Sequence, residues 1–160
     1  GVVNAVYNQA NMVLVVLDNS TTAMTGHQPH PGTGRTVMGE IVQKINIEQV
    51  LRGIGVTEIE TINPLELEAS VSCVKRMAEK SGVRAIIFKA PCIAVTKPKA
   101  PLHVDQDSCI GCKKCIRDLG CPAIVMNDGK ICIDASMCTG CHLCSQVCPV
   151  CAIAGGDDYE

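Results

Sequence analysis

Residues 12–17, MVLVVL, are apolar without interruption and stop abruptly at Asp18-Asn19-Ser20. A strand-length run without alternation reads as a strand buried on both faces, as in a parallel sheet. Two more candidates follow, Thr57 to Ile62 and Arg84 to Phe88. Helical patterns lie between them. Asn46 with Gln49 three residues on resembles a capping box, and Gly55 stands where that helix would stop. Asn63-Pro64-Leu65-Glu66 repeats the device with Pro at the first helical position. Leu67, Val71, Val74 and Ala78 then fall on one helical face, and Gly82 closes the segment. Strand–helix–strand–helix–strand predicts βαβ units around a parallel sheet.

Beyond residue 89 the pattern changes. APCIAVTKPKAP (90–101) carries Pro and Lys and reads as a linker. HVDQDSC and ICIDASMC then each look like a short strand running into a cysteine loop. IVMNDGKICI (124–133) holds Asn127-Asp128-Gly129 between two apolar runs, a hairpin signal. The expected organisation is an α/β domain over residues 1–89, a linker over 90–102 and a small α+β domain over 103–160.

Composition sharpens that division. Two of the twelve cysteines precede residue 100 and ten follow it. Residues 1–100 hold ten Lys/Arg against eight Asp/Glu, whereas residues 101–160 hold four against eight. Aromatic residues make up 2% of the chain and the net charge is −2. Neither a stacking platform nor a basic footprint for nucleic acid is present. No apolar run approaches the roughly 18 residues a membrane span needs. A basic face on a partner would suit the acidic second module, although such a surplus is also an ordinary solvated surface.

The cysteines form two related runs, Cys109-x2-Cys112-x2-Cys115-x5-Cys121-Pro122 and Cys138-x2-Cys141-x2-Cys144-x3-Cys148-Pro149. VDQDSCIGC (104–112) lies over IDASMCTGC (133–141) at an offset of 29, and Ala-Ile after each fourth cysteine recurs at the same offset. Two halves related by a pseudo-twofold are implied. Cysteines at x2 intervals let a tight loop wrap three corners of a cubane, with Gly111 and Gly140 letting the backbone approach the inorganic sulfides. In two-cluster ferredoxins the fourth cysteine ligates the other cluster. The expected sets are therefore Cys109, Cys112, Cys115 and Cys148 for one [4Fe–4S] cluster, and Cys138, Cys141, Cys144 and Cys121 for the second. Zinc favours paired C-x2-C knuckles separated by a longer loop. A disulfide framework suits small secreted domains, and no secretory signal is visible. The x5 gap departs from the bacterial pattern and singles out Cys121. Cys132 and Cys151 fall outside the runs and are expected to be small buried apolar residues beside a cluster, or substitute ligands. Cys73 and Cys92 read as core or loop residues.

In open parallel sheets, ligands sit beyond the carboxyl ends of the strands. The stretch there is DNSTTAMTGHQPHPGTG (18–34), rich in hydroxyls, amides and glycine and without helical or strand period. It is either a solvated loop or an oxygen-lined cradle for a phosphate with Mg²⁺, to which Asn19, Ser20, Thr21 and Thr22 can offer hard donors. His27 and His30 flank Pro29 and form a weak metal signal; loop histidines are usually structural.

LDNSTTAMTGHQPHPGTG joined to a two-cluster cysteine module resembles the thiamine-diphosphate subunit of the 2-oxoacid:ferredoxin oxidoreductases, in particular the branch acting on aryl 2-oxoacids. The LGCPA around Cys121 resembles that branch too, x5 gap included. The resemblance runs over essentially the whole chain. It implies a parallel-sheet thiamine diphosphate domain followed by a ferredoxin-like domain. Asn19 would ligate Mg²⁺ through its side-chain oxygen and Thr21 through its carbonyl. Met24 would lie against the thiazolium end of the cofactor, and the eight cysteines would carry the clusters. The implied reaction is oxidative decarboxylation of a 2-oxoacid such as indolepyruvate to an acyl-coenzyme A. External ferredoxin takes the electrons, and a second (beta) subunit and a cytoplasmic setting are implied. In that family a Gly-Asp motif with a further Mg²⁺ ligand lies upstream, and GVVNAVYN corresponds to the helix that follows it. The chain is accordingly expected to be part of a longer protein and inactive alone. The alternatives are an electron-transfer subunit without its own catalytic site, and the same chemistry on another 2-oxoacid.

Overall fold

The computed structural model describes residues 1–155, and in it the chain divides into Gly1–Thr96 and a second unit from Lys97 onward. Asp157, Asp158 and Glu160, counted in the charge balance, lie outside the described residues.

In the first unit, β1 (Met12–Asp18), β2 (Glu58–Ile62) and β3 (Val83–Lys89) form a parallel sheet in the order β1-β3-β2. Strand β3 is the central one, and its Arg84, Ala85, Ile86 and Ile87 are buried. Period-2 alternation splits the core between its faces. Ala85 and Ile87 pack with Leu51 and Val56, with α1 (Val2–Tyr7) supplying Val2 and Val6 and α2 (Ile47–Gly53) supplying Ile47. Ile86 packs on the other face with Cys73 and Met77 of α3 (Leu67–Glu79). Helix α2 begins as its sequence predicts, the Asn46 side chain accepting the Gln49 N–H at 3.1 Å, and Gly55 follows its end at φ +95°.

Three local expectations are corrected. Strand β1 is not buried on both faces: Val15 is 48% and Leu17 76% exposed. They share a face with Val13, but α3 packs over β3 and β2 and reaches only Val13. Helix α3 starts three residues later than the Asn-Pro device suggests. Asn63 closes a turn instead, its Oδ1 accepting the Leu65 N–H and its carbonyl the Glu66 N–H. The buried face of α3 is Ser70, Cys73 and Met77, leaving Val71 and Val74 about half exposed. Ser70 Oγ donates to the Asn63 carbonyl at 3.2 Å, so the buried hydroxyl on that face is satisfied.

Arg84 is buried without a carboxylate. Its Nε donates to the Met77 carbonyl at 3.0 Å, and its Nη1 reaches the Gly82 carbonyl and Asn11 Oδ1. A buried guanidinium satisfied by carbonyl and amide oxygens fastens the end of α3 to the starts of β1 and β3.

The second unit repeats one motif, strand–loop–helix–strand: β4 (Leu102–Val104), α4 (Lys114–Leu119) and β5 (Ile124–Asn127), then β6 (Lys130–Ile133), α5 (Leu143–Val147) and β7 (Ile153–Gly155). Asp128 at φ +48° and Gly129 at φ +77° make the two-residue turn joining β5 to β6, as the sequence predicts. The pairing is exchanged between halves. Strand β4, which enters the first cysteine loop, pairs antiparallel with β7 from the end of the second half, and β6 pairs with β5. Asp105 N–H to the Ala152 carbonyl and Asp134 N–H to the Ala123 carbonyl, both 2.8 Å, are the same bond 29 residues apart. Among the described residues no helix is long and apolar enough to cross a membrane.

Candidate cofactor and cluster sites

Each cysteine loop is launched by an aspartate. Asp105 accepts the Asp107 N–H and the Ser108 hydroxyl, while Asp134 accepts the N–H and hydroxyl of Ser136. These bonds, the serine hydroxyl's foremost, hold both carboxyls below the usual aspartate range. The Cys109 and Cys138 amides donate to the Asp105 and Asp134 carbonyls, turning the chain so that the next sulfurs point inward. Lys113 and His142 then adopt left-handed backbone at φ +59° and +61° and open the short helices that carry Cys115 and Cys144.

The exchanged strand pairing decides where each fourth cysteine lands. Cys148 lies just before β7, which sits on β4, so it meets the first loop; Cys121 lies just before β5, which sits on β6. One pocket is lined by Cys109, Cys112, Cys115 and Cys148 together with Ile110, Ile131 and Ile153. Around the second loop, burial pushes the Cys144 thiol up to about 11, with Cys141, Cys138 and Cys121 as its charged neighbours. Burial likewise raises Cys115, beside Cys112 and Cys148. Burial in a low-dielectric nest disfavours bare thiolates, and cations placed among four gathered sulfurs would offset that cost.

Among the described residues no group of three His, Cys, Asp or Glu side chains is placed to hold a single metal ion. Backbone donors also face the sulfurs: Leu102 N–H to Cys138 Sγ at 3.4 Å and Ala152 N–H to Cys148 Sγ at 3.3 Å. The donor set fits two [4Fe–4S] clusters. Cys151 is exposed at φ +52°, which corrects the expectation of a buried residue; Cys132 is half-buried in β6 opposite Val125. Neither lines the pocket.

Gly140 has a contact of its own within the chain. A Cβ on Gly140 (φ +68°) would stand 2.6 Å from Lys99 Cβ and 2.7 Å from the Ala100 carbonyl oxygen, so its smallness admits the chain's own 99–100 segment. A Cβ on Gly111 (φ +65°) would have no protein atom within 4 Å. Nothing in the sequence beyond the Pro/Lys character of 97–101 points to this contact.

At the carboxyl end of β1, Asn19 Oδ1 accepts the Thr21 N–H at 3.2 Å and Asp18 Oδ1 the Ser20 N–H at 3.0 Å. The Asn19 carbonyl takes the Cys92 N–H at 2.9 Å and that of Asp18 the Ala90 N–H, tying the turn to the end of β3. Thr21 is buried, and Met24, in the 3₁₀ turn Ala23–Thr25, is fully exposed. Asn19 Oδ1 keeps a second lone pair, and with the Thr21 carbonyl it is a hard oxygen of the kind that suits Mg²⁺. A cleft of about 370 Å³ opens at the carboxyl ends of the strands, where Asp18, Thr61 and Lys89 meet Lys44 and Asn46; Asn19 and Thr21 do not line it. His30 Nδ1 accepts the Gly32 N–H at 3.1 Å, a structural role, and His27 is exposed at φ +61°.

Residues 1–88 match the family described as thiamine pyrophosphate enzyme, C-terminal TPP binding domain, and residues 102–149 match that described as 4Fe-4S dicluster domain. A protein of Methanothermobacter thermautotrophicus named indolepyruvate oxidoreductase subunit IorA is 45% identical over 153 residues, covering 94% of this chain and 25% of that protein. Proteins of the same name from Archaeoglobus fulgidus and Thermococcus kodakarensis are each 40% identical over 157 and 163 residues, covering 94% and 91% of this chain. The chain spans about a quarter of the length of these relatives. No solved structure matches it.

Proposed function

Because the chain belongs to the thiamine pyrophosphate enzymes through residues 1–88 and continues into a 4Fe–4S dicluster domain, we propose that it is part of an oxidoreductase that oxidatively decarboxylates aryl 2-oxoacids. Indolepyruvate is the proposed substrate and an acyl-coenzyme A the product. The electrons pass through two [4Fe–4S] clusters to a ferredoxin, and a second subunit completes the enzyme. One observation carries this: a strand-end loop of oxygen donors on a parallel sheet, and two complete sets of four cysteines, occur in one chain.

Thiamine diphosphate, when bound, supplies the electron sink that lets CO₂ leave a 2-oxoacid. The residues here do the holding. Asn19 through Oδ1 and Thr21 through its carbonyl ligate Mg²⁺, and the bonds from Thr21, Cys92 and Ala90 fix that turn to the sheet. Met24 projects as the apolar side chain that meets the cofactor. Cys109, Cys112, Cys115 and Cys148 hold one cluster, and Cys138, Cys141, Cys144 and Cys121 the second. Cys115 and Cys144 are buried, Cys112 is exposed and the other five lie between.

The test is anaerobic assay of the complete protein with its partner subunit for coenzyme A-dependent reduction of ferredoxin by indolepyruvate. Turnover that requires thiamine diphosphate, coenzyme A and indolepyruvate is the expected result. Clusters that accept electrons from dithionite in a protein inert toward every 2-oxoacid tried would favour the electron-transfer subunit instead.

A further inference from the structure

The two halves of the cysteine module are alike in sequence and unequal in cover. Across the second loop lies the segment 99–102. The Lys99 N–H donates to the Thr139 carbonyl at 3.2 Å, the Leu102 N–H points at Cys138 Sγ, and Gly140 is buried beneath Lys99 and Ala100. Among the described residues no protein atom lies within 4 Å of the equivalent position, a Cβ on Gly111, in the first loop. Gly111 and Cys112 are exposed, and Ile110, 64% exposed, lines the cysteine pocket. Val150, 38% exposed, lines it as well.

Charge follows the same division. Residues 109–120 carry Lys113, Lys114 and Arg117 with Asp118 as their one acid, whereas residues 138–149 carry no Lys, Arg, Asp or Glu. Lys113 and Lys114 are exposed, and Arg117 Nη2 donates to the Cys112 carbonyl at 3.4 Å, holding a guanidinium beside the exposed ligand. Electron transfer slows steeply with distance, so a protein acceptor must approach the uncovered set. An apolar centre rimmed by cations fits an acidic surface and steers it into contact.

We infer that electrons leave from the Cys109/Cys112/Cys115/Cys148 set, and that Ile110, Lys113, Lys114 and Arg117 form the docking face for an acidic one-electron carrier protein. This rests on the reading that the two cysteine sets hold [4Fe–4S] clusters, and it assigns the covered set to the inside of the path. In each encounter the reduced cluster loses one electron and returns to its oxidised level while the carrier gains that electron. Two encounters clear the pair released per 2-oxoacid oxidised, and no atom is exchanged.

The experiment takes the complete protein with its partner subunit, reduced stoichiometrically and mixed anaerobically with an acidic two-cluster ferredoxin or, separately, with methyl viologen. In the Lys113→Asn, Lys114→Gln double variant, where Asn tolerates the left-handed backbone, the ferredoxin rate constant at low salt should fall about tenfold and its salt dependence flatten. Methyl viologen reduction and iron content should hold. Lys75→Glu, which changes the net charge by the same amount in the other unit, should leave the ferredoxin rate alone. Should the double variant lose iron, Lys114→Gln alone carries the test. An unchanged ferredoxin rate in an iron-replete variant, or an equal loss in Lys75→Glu, overturns the assignment. Absence of iron and sulfide from the parent protein would instead sink the cluster reading beneath it.

Discussion

Replacing Gly140 by alanine, against Gly111→Ala as its partner in the repeat, isolates what the 99–102 segment contributes. Both glycines sit in left-handed backbone, at φ +68° and +65°. Alanine there costs about 1–2 kcal/mol from its Cβ alone. At Gly111 the new methyl meets no protein atom, so that is the whole loss expected from the chain's own contacts. At Gly140 it would lie 2.6 Å from Lys99 Cβ and 2.7 Å from a backbone oxygen, well inside contact distance, and one of the two is main chain. The segment must retreat, and the bonds to the Thr139 carbonyl and Cys138 Sγ go with it. At about 1 kcal/mol each, they bring the expected loss for Gly140→Ala to about 3–4 kcal/mol, roughly 2 kcal/mol beyond Gly111→Ala. Urea titration of the two cluster-loaded variants under argon measures the difference. A redox titration gives a second reading: losing an N–H donor to a ligand sulfur should lower the potential of the cluster on the Cys138 set and leave the other unchanged. Equal urea midpoints for the two variants, with both potentials unmoved, would refute the idea that this segment is clamped over the second loop.

Cys121→Ser should lower iron from about eight to about four per chain and leave one cubane signal, whereas Cys151→Ser should keep both; iron and sulfide analysis after anaerobic purification decides. The Arg76 guanidinium beside Glu60 holds that carboxyl below its usual 4.5, so its contribution is present above that value and disappears as pH falls through the lowered one. Both groups are partly exposed, so Glu60→Gln should cost less than about 1 kcal/mol at pH 7, and progressively less as the pH is taken down, as read from urea curves across the acid range.

Much of the site was legible along the chain because its chemistry is written in spacing. Eight cysteines at fixed intervals, repeated at an offset of 29, name a cluster type before any coordinates exist. The Asn46 cap and the Asn127-Asp128-Gly129 turn were legible for a similar reason, since each is a bond or a φ preference settled within four residues. Burial was less so. Val71 and Val74 looked like core residues, yet Ser70 and Cys73 hold that place. Apolar character says that a residue gains by burial, but not which neighbour covers it. Val15 and Leu17 stand exposed for the same reason: they have the composition of a two-sided strand, and within the described residues a helix covers only the first part of β1.

The sequence by itself determined the two modules, the parallel sheet, the oxygen-rich turn after β1 and the eight sulfurs, because each depends on nearest neighbours or on a strict period. Only the tertiary structure decided that β7 lies on β4 and β5 on β6, which carries each fourth cysteine to the opposite loop. Only it decided that one loop is covered and the other open. Strand pairing and the path of a connecting segment are set by contacts between residues far apart in the chain, and such contacts leave no local period to read.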